Sequence, residues 1–170
     1  MVGSGEIESA PEKSVFLSSL LLLLGLAVLV VALDQFTKAT VTDKLKNGRV
    51  VDVLGGLVRL DFTSNTGAAF GMLPSAGLFF TLVAVGVAIA IGASYRRIAA
   101  SPPPVRIGIG SILGGAIGNL IDRVRLGYVV DFIDLRWWPV FNLADSAIVL
   151  GVTLIVLWTI RRPDERRLTR

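Results

Sequence analysis

The chain has 170 residues, of which 53% are hydrophobic, a net charge of +4, and no cysteine or histidine. A mean hydropathy of +0.71 is far above that of a soluble domain and indicates a single domain that crosses a membrane several times. The missing residue types exclude a disulfide framework, a Ser-His-Asp triad and an H-E-x-x-H zinc site, so acid–base chemistry would fall to carboxylates, lysine or tyrosine. Two tyrosines and arginines clustered at helix ends give no base-stacking platform, and we expect no nucleic-acid partner.

The first predicted transmembrane helix runs from about 15 to 33, after a polar tail at 1–14. Its nineteen uncharged residues span roughly 28 Å at 1.5 Å per residue, about one hydrocarbon core. A cleaved signal peptide is the alternative, but the apolar run is longer than a typical h-region and no A-x-A site follows it. The pattern favours a retained helix.

Residues 34–71 form a predicted extracytoplasmic β segment between the first two helices. The stretch GRVVDVLGGLVRLDFTSN alternates β-branched and polar residues around Gly55-Gly56, which predicts short strands and a turn lying on the membrane. Asp34 and Lys38 open the segment at i,i+4 spacing. This spacing fits an exposed ion pair that anchors the helix end at the membrane interface. It also fits two residues of a functional site.

Three further apolar segments predict transmembrane helices at about 72–95, 106–122 and 145–160. The linker RRIAASPPPVR between the first two holds three prolines and cannot continue a helix, and 122–144 is expected to be a mixed loop. Glycines at 110, 114 and 118 have the small-xxx-small spacing that favours close helix packing over chemistry. The predicted fold class is therefore an all-α membrane protein with four transmembrane helices and a small extracytoplasmic β-containing segment.

Charge predicts the orientation of these helices. The tail at 161–170 carries five arginines and the linker 96–106 carries three, whereas the five Lys and Arg of 34–71 are balanced by four Asp. By the positive-inside rule, we expect both termini in the cytoplasm and the loops 34–71 and 122–145 outside.

Polar residues gather at the outer ends of the predicted helices. In NTGAAFG at 65–71, Asn65 is either a helix cap or a donor and acceptor for a ligand. In GNLIDR, the residues Asn119, Asp122 and Arg123 share one neighbourhood through i,i+3 and i,i+4 spacing. That neighbourhood is either an inter-helix ion pair at the interface or part of a site.

Two carboxylates lie beside apolar runs, Asp131 in VVDF and Asp145 in FNLADS, where ionisable groups are costly and often functional. Two carboxylates brought together cannot both ionise easily, so one serves as acid and the other as base. Such a pair can activate water against a peptide carbonyl without a metal or a cofactor. Spacing alone leaves open that Asp145 caps the fourth helix and that Asp131 lies in a turn.

Two other functions stay open on the residues alone. Intramembrane carboxylates also mark ion pathways, so a small transporter or channel is one alternative, although none of the acidic residues lies mid-helix. A non-catalytic assembly factor that docks through its glycine face is the other. In that case, replacing both Asp131 and Asp145 by asparagine would leave function intact.

Five ordered blocks resemble lipoprotein signal peptidase, the type II signal peptidase of bacteria. They are DQFTK at 34–38, NTGAAFG at 65–71, GGAIGNLIDR at 114–123, VVDF at 129–132 and FNLADS at 141–146. The resemblance implies an aspartyl endopeptidase of the bacterial inner membrane, with its site near the extracytoplasmic face. Such an enzyme cuts prolipoproteins just before a diacylglyceryl-modified cysteine.

The resemblance also implies which residues form the site. Its catalytic pair maps onto Asp131 and Asp145, and it implies membrane lipid, lipidated prolipoproteins and inhibitory cyclic peptide antibiotics as partners. Asn65 and Asn142 are expected to orient the peptide, and Arg123 to fix backbone carbonyls or a carboxylate. The full set of implied supporting residues is Asp34, Lys38, Asn65, Asn119, Arg123 and Asn142.

Overall fold

The computed structural model describes residues 10–67 and 76–161. Residues 1–9 and 162–170 of the predicted tails, 68–71 of the NTGAAFG block and the predicted helix start at 72–75 lie outside the described residues. The helices are α1 (Ala10–Leu45), α2 (Ala76–Ala93), α3 (Tyr95–Ala99), α4 (Pro103–Leu126) and α5 (Leu143–Arg161). The strands are β1 (Val50–Val53), β2 (Val58–Asn65) and β3 (Val129–Asp134).

Three helices of the described residues are long and apolar enough to cross a membrane. They are α1 over Phe16–Leu45, α4 and α5. The predicted second span corresponds to α2, whose described apolar stretch Gly77–Ala93 is shorter. A mostly helical membrane fold with a small sheet is thus confirmed, while the count of four spanning helices stays a prediction.

The central helix is α4, because its glycines let α1 and α5 approach on two faces. On the α1 side, a Cβ added at Gly114 would lie 2.7 Å from the carbonyl oxygen of Ala27. On the α5 side, a Cβ at Gly115 would lie 2.8 Å from Cγ1 of Ile148 and closer still to the Ala144 carbonyl. The predicted packing role of the glycine spacing is therefore confirmed.

The first helix continues well beyond its predicted end at 33, and the prediction of a β segment is wrong for residues 34–45. The polar residues Asp34 and Lys38 do not end the helix, because they share a buried face with Val41 and Leu45 at helical spacing. After Leu45 the chain turns at Gly48, whose φ of +84° suits glycine.

A three-stranded antiparallel sheet in the order β1-β2-β3 packs on the end of α1. The hairpin of β1 and β2 forms around Gly55-Gly56 as predicted, with Val53 paired to Val58. Phe132 of β3 packs with Val41 and Leu45 of α1 in a small apolar core.

The prediction of a mixed loop over 122–144 is wrong for much of its length. The helix α4 continues to Leu126 and is capped by Gly127 at φ +80°, and β3 begins at Val129. Because Val129 and Val130 are buried at 2% and 1% exposure, this apolar stretch is stabilised by joining the sheet.

The linker between α2 and α4 also differs from the prediction. It contains the short helix α3, and α4 begins at Pro103 rather than at 106. Proline is tolerated in the first helical turn, because its missing N–H would have no partner inside the helix there.

Replacing Gly115 by alanine should destabilise the bundle, because the added methyl group would overlap α5. Overpacking of this kind costs about 1–3 kcal/mol, so the melting temperature in detergent should fall by several degrees. The matched control is Gly25→Ala on the exposed side of α1, where an added Cβ meets no described atom within 4 Å. Equal melting temperatures for the two variants would contradict the packing role.

Candidate active site

The eight residues predicted from the sequence to form a site come together at one end of the bundle. They are carried by five elements or their ends: α1, the end of β2, α4, β3 and the start of α5. Six polar side chains in this region are buried, at 6% exposure or less, namely Asp34, Lys38, Asn119, Asp122, Asp131 and Asn142. Polar burial on this scale requires that the side chains satisfy one another.

The register of β2 and β3 places Asp131 beside Asn65. Asp131 pairs with Thr63 and Asn65 with Val129, so Asn65 and Asp131 are diagonal neighbours on one face of the sheet. Asn65 Nδ2 donates to Asp131 Oδ2 over 2.7 Å, and Asn142 Nδ2 donates to Asp131 Oδ1 over 2.7 Å. The turn alternative for Asp131 is wrong, since it is a strand residue with 1% exposure.

The residue that caps α5 is Asn142 and not Asp145, so that alternative is also wrong. Asn142 Oδ1 accepts the backbone N–H of Asp145 over 2.9 Å, and Asp145 Oδ2 accepts the backbone N–H of Asn142 over 3.2 Å. This reciprocal arrangement is a capping box. The second oxygen of Asp145 accepts Nδ2 of Asn119 over 2.7 Å.

A single buried residue therefore connects the two carboxylates. The side-chain amide of Asn142 binds Asp131 and its backbone N–H binds Asp145, while the residue itself has 0% exposure. Its Nδ2 also lies 3.1 Å from Oδ1 of Asn119. Each carboxylate has a further amide donor from another element, Asn65 for Asp131 and Asn119 for Asp145.

A buried lysine lies next to the pair. Lys38 Nζ is 2.9 Å from Asp34 Oδ2 and 2.8 Å from Asp122 Oδ2, and it donates to Asn119 Oδ1 over 2.8 Å. The predicted pairing of Asp34 with Lys38 is confirmed, but the pair is buried and is not an exposed anchor. Burial of an ammonium is tolerated here because three oxygen acceptors surround it.

Two members of this cluster, Asp122 and Gln35, were not among the predicted site residues. Gln35 Nε2 donates to Asp122 Oδ1 over 2.9 Å and lies 3.2 Å from the carbonyl of Gly118. The signal for Asp122 was its position three residues after Asn119 on one helix face. Nothing in the spacing of Gln35 distinguishes it from a solvent-facing residue.

The remaining predicted residue, Arg123, lies at the margin of the site and is half-buried. Its Nη1 donates to the backbone carbonyl of Asn119 over 3.4 Å, and its guanidinium lies 5.6 Å from the ring centre of Phe80. Its positive charge also interacts with the charges of Asp145 and Asp131, so Arg123 lies within electrostatic reach of both paired carboxylates.

The two carboxylates differ in environment. Burial raises the pKa of Asp131 to about 6, and the charge of Asp145 acts in the same direction, while the hydrogen bonds from Asn65 and Asn142 lower it. Asp145 is only half-buried and lies in the first turn of α5, where the helix dipole favours a negative charge. Of the two, Asp131 is the one that burial favours as the protonated member.

The side-chain donors that bind the pair are the amides of three asparagines, Asn65, Asn119 and Asn142. Over residues 10–67 and 76–161, no group of three or more His, Cys, Asp or Glu is arranged to hold a metal ion. The arrangement can hold a proton on one carboxylate, keep the other ionised and orient both, as general acid–base attack by water requires.

Comparison with known proteins links this site to one family. A family model described as Signal peptidase (SPase) II matches residues 26–161, a range that includes every residue of the site. The chain is 48% identical over 138 residues to the lipoprotein signal peptidase of Moorella thermoacetica, covering 81% of this chain and 91% of that protein. The lipoprotein signal peptidase of Rhodococcus jostii is 42% identical over 167 residues, covering 94% and 83%.

Solved structures agree with this similarity. Two structures described as a bacterial membrane enzyme are each 34% identical to the chain, with TM-scores of 0.74 and 0.72. The alignment with the first structure covers 81% of this chain and 92% of the solved chain, and the alignment with the second covers 80% and 85%, respectively.

Replacing Asn65 by alanine should raise the pKa of Asp131 further above about 6, because the lost hydrogen bond stabilises the ionised carboxylate. Infrared titration of the carboxyl band would measure this pKa, with Asp131→Asn used to assign the band. Ser64→Ala, an exposed neighbour on the same strand, is the matched control and should leave the titration unchanged. A lower pKa in Asn65→Ala would contradict the assigned role of this hydrogen bond.

Proposed function

The chain belongs to the signal peptidase II family, and from this premise we propose that Asp131 and Asp145 are its catalytic pair. As a member of that family, it is a multi-pass membrane enzyme of the aspartic peptidase type that removes signal peptides from prolipoproteins. The observation that carries the proposal is the buried Asn142, which binds both carboxylates and so holds them at one site.

In the proposed reaction, Asp145 is the base and Asp131 carries the proton. Water attacks the scissile carbonyl carbon, its proton passes to Asp145, and the proton of Asp131 passes to the carbonyl oxygen. In the second step Asp131 recovers its proton from that oxygen, Asp145 protonates the leaving nitrogen, and the C–N bond breaks. The half-exposure of Asp145 and the raised pKa of Asp131 support this division of roles.

The supporting residues divide into two groups in this proposal. Asn119 and Asn142 hold the carboxylates from the buried side. Asn65 is exposed although it binds Asp131, so it is placed to contact the substrate peptide as well. Arg123 is half-buried at the margin, where its remaining N–H groups would bind peptide carbonyls.

The proposed substrate is a prolipoprotein cut just before its diacylglyceryl-modified cysteine. The site lies at the ends of apolar helices that are long enough to span a bilayer, which supports a substrate whose acyl chains stay in the membrane while the peptide reaches the carboxylates. Cyclic peptide antibiotics would compete for the same carboxylates.

We propose that α2 is the fourth span and that both termini lie in the cytoplasm, with the site near the extracytoplasmic face of the bacterial inner membrane. The support is the arginine-rich tail and linker described above and the uncharged sequence of α2.

Replacing either aspartate by asparagine, in Asp131→Asn or Asp145→Asn, should lower kcat by roughly 10²–10⁴-fold or more, because one half of the acid–base pair is lost. The assay is cleavage of a diacylglyceryl-modified prolipoprotein by detergent-purified enzyme, with the product identified by its lipidated N-terminal cysteine. Asp134→Asn, three residues away in the same strand, is the matched control and should stay near wild type. Turnover near the wild-type rate in either dyad variant, or loss in Asp134→Asn alone, would refute the assignment.

The topology can be tested with single cysteines, because the chain has none of its own. Asn47→Cys, between α1 and β1, should react with a membrane-impermeant maleimide added to intact spheroplasts, whereas Ala100→Cys, after α3, should react only after lysis. Both positions are exposed, so accessibility within the fold is matched. Labelling of both from the same side would show that α2 does not cross the membrane, and the reverse pattern would invert the orientation.

A further inference from the structure

The backbone N–H of the residue before each proposed catalytic aspartate donates to a buried carboxylate. Val130 N–H donates to Asp122 Oδ2 over 3.1 Å, and Ala144 N–H donates to Asp34 Oδ1 over 3.0 Å. Lys38 binds both of these carboxylates, at 2.8 Å and 2.9 Å. One ammonium therefore joins the two acceptors that hold the chain next to Asp131 and next to Asp145.

We propose that Asp34, Lys38 and Asp122, which we term the buried ion triad, set the separation and orientation of the catalytic pair. The inference rests on the proposed function, since it assumes that Asp131 and Asp145 do the chemistry. The triad residues are positioning residues, because they act on the neighbouring backbone and not on the substrate.

Asn142 binds both carboxylates, but the pair belongs to two different elements whose backbones must also be held in place. Asp131 lies in β3 and Asp145 in the first turn of α5, so no single helix or strand fixes the distance between their carboxylates. A misplacement of about 1 Å at a reacting group can reduce a rate about a hundredfold. The triad connects both elements to the long helices α1 and α4, which supply Asp34, Lys38 and Asp122.

Burial makes the connection stiff. The three residues have 3% exposure or less, so water and salt screen their attraction little. Removing Lys38 would leave Asp34 and Asp122 as buried carboxylates without a positive counter-charge, and the two would repel each other. Repulsion between these two acceptors would pull the segments that carry Asp131 and Asp145 apart.

The glycine at position 118 is required by the same arrangement. A Cβ at Gly118 would lie 2.6 Å from Oδ2 of Asp34, the oxygen that binds Lys38. The backbone carbonyl of Gly118 also accepts a hydrogen bond from Nε2 of Gln35 over 3.2 Å. The absence of a side chain there leaves space for the triad, beyond its part in helix packing.

The test compares Lys38→Met with the charge-balanced variant Lys38→Met/Asp34→Asn/Asp122→Asn. The asparagine oxygens of the second variant can still accept the N–H groups of Val130 and Ala144 without repelling each other. We expect kcat per folded enzyme to fall by roughly a hundredfold in Lys38→Met, with KM changed by less than about threefold. The kcat of the charge-balanced variant should be at least about tenfold higher than that of Lys38→Met.

The controls separate positioning from folding and from the chemistry itself. Lys44→Met, an exposed lysine of the same helix, should match wild type. Folded fraction and melting temperature are measured for every variant, because a purely structural role would lower these and leave kcat per folded enzyme unchanged. If Lys38→Met does not fold, Asp122→Asn takes its place, with an expected loss of roughly tenfold in kcat at nearly constant KM.

Three results would overturn the inference. The first is a wild-type kcat in folded Lys38→Met, or in Asp122→Asn where that variant takes its place. The second is an effect confined to KM, and the third is a charge-balanced variant whose kcat is no higher than that of Lys38→Met. Asp131→Asn and Asp145→Asn are assayed in parallel. If either of these retains turnover, the proposed catalytic pair fails. If both are inactive while the triad variants turn over normally, only the positioning role fails.

Discussion

A charged group that leaves water must find opposite charge or hydrogen-bond donors, and this constraint shapes the end of the bundle where α1, α4 and α5 meet. Asp34 and Asp122 are satisfied mainly by the ammonium of Lys38, and Asp131 mainly by the amides of Asn65 and Asn142. Apart from the i,i+4 pair within α1, each of these donors lies on a different element from its acceptor or in a turn distant from it. The contacts that satisfy the buried polar groups are therefore also the contacts that hold the elements together.

The close approach of the helices makes that set of contacts reachable. Lys38 on α1 reaches Asn119 and Asp122 on α4 because glycines on the facing side of α4 allow the two backbones to come near. Larger residues at Gly114 would separate the helices and place the ammonium beyond hydrogen-bond distance of α4. The apolar packing in the middle of the bundle thus determines the polar geometry at its end.

The sequence predicted the general fold because long uncharged runs leave few alternatives to membrane helices. Its predictions for the site residues come from the resemblance of five short blocks, because spacing alone indicates only a possible carboxylate pair, and the catalytic roles stay a prediction. The convergence of Asp131 with Asp145 depends on a strand that pairs with β2, more than sixty positions earlier in the chain, as in the contact of Asn65 with Asp131. No local pattern carries that information, which is why β3 was expected to be a loop.

The error in α1 has a related cause. Hydropathy treats a charged residue as the end of a membrane helix, but Asp34 and Lys38 face the bundle, where partners on α4 and α5 replace water. The sequence does not predict Gln35 as a site residue, because an uncharged polar residue just after the predicted helix end has no distinctive spacing. Family membership favours a peptidase over the transporter and assembly-factor alternatives, which the residues alone left open.

The separation of Lys38 from the proposed catalytic pair by an amide has its own chemical consequence. Lys38 donates to Asn119 Oδ1, and Asn119 Nδ2 donates to Asp145 Oδ1, so orientation passes from the ammonium to the carboxylate while the positive charge stays one residue away. A lysine bound directly to Asp145 or Asp131 would stabilise both carboxylates as anions, and the pair would lose the proton that the proposed mechanism requires it to share. Amides supply donors without a charge, so asparagine is suited to the side-chain positions that bind either carboxylate, whereas the ammonium of Lys38 binds Asp34 and Asp122.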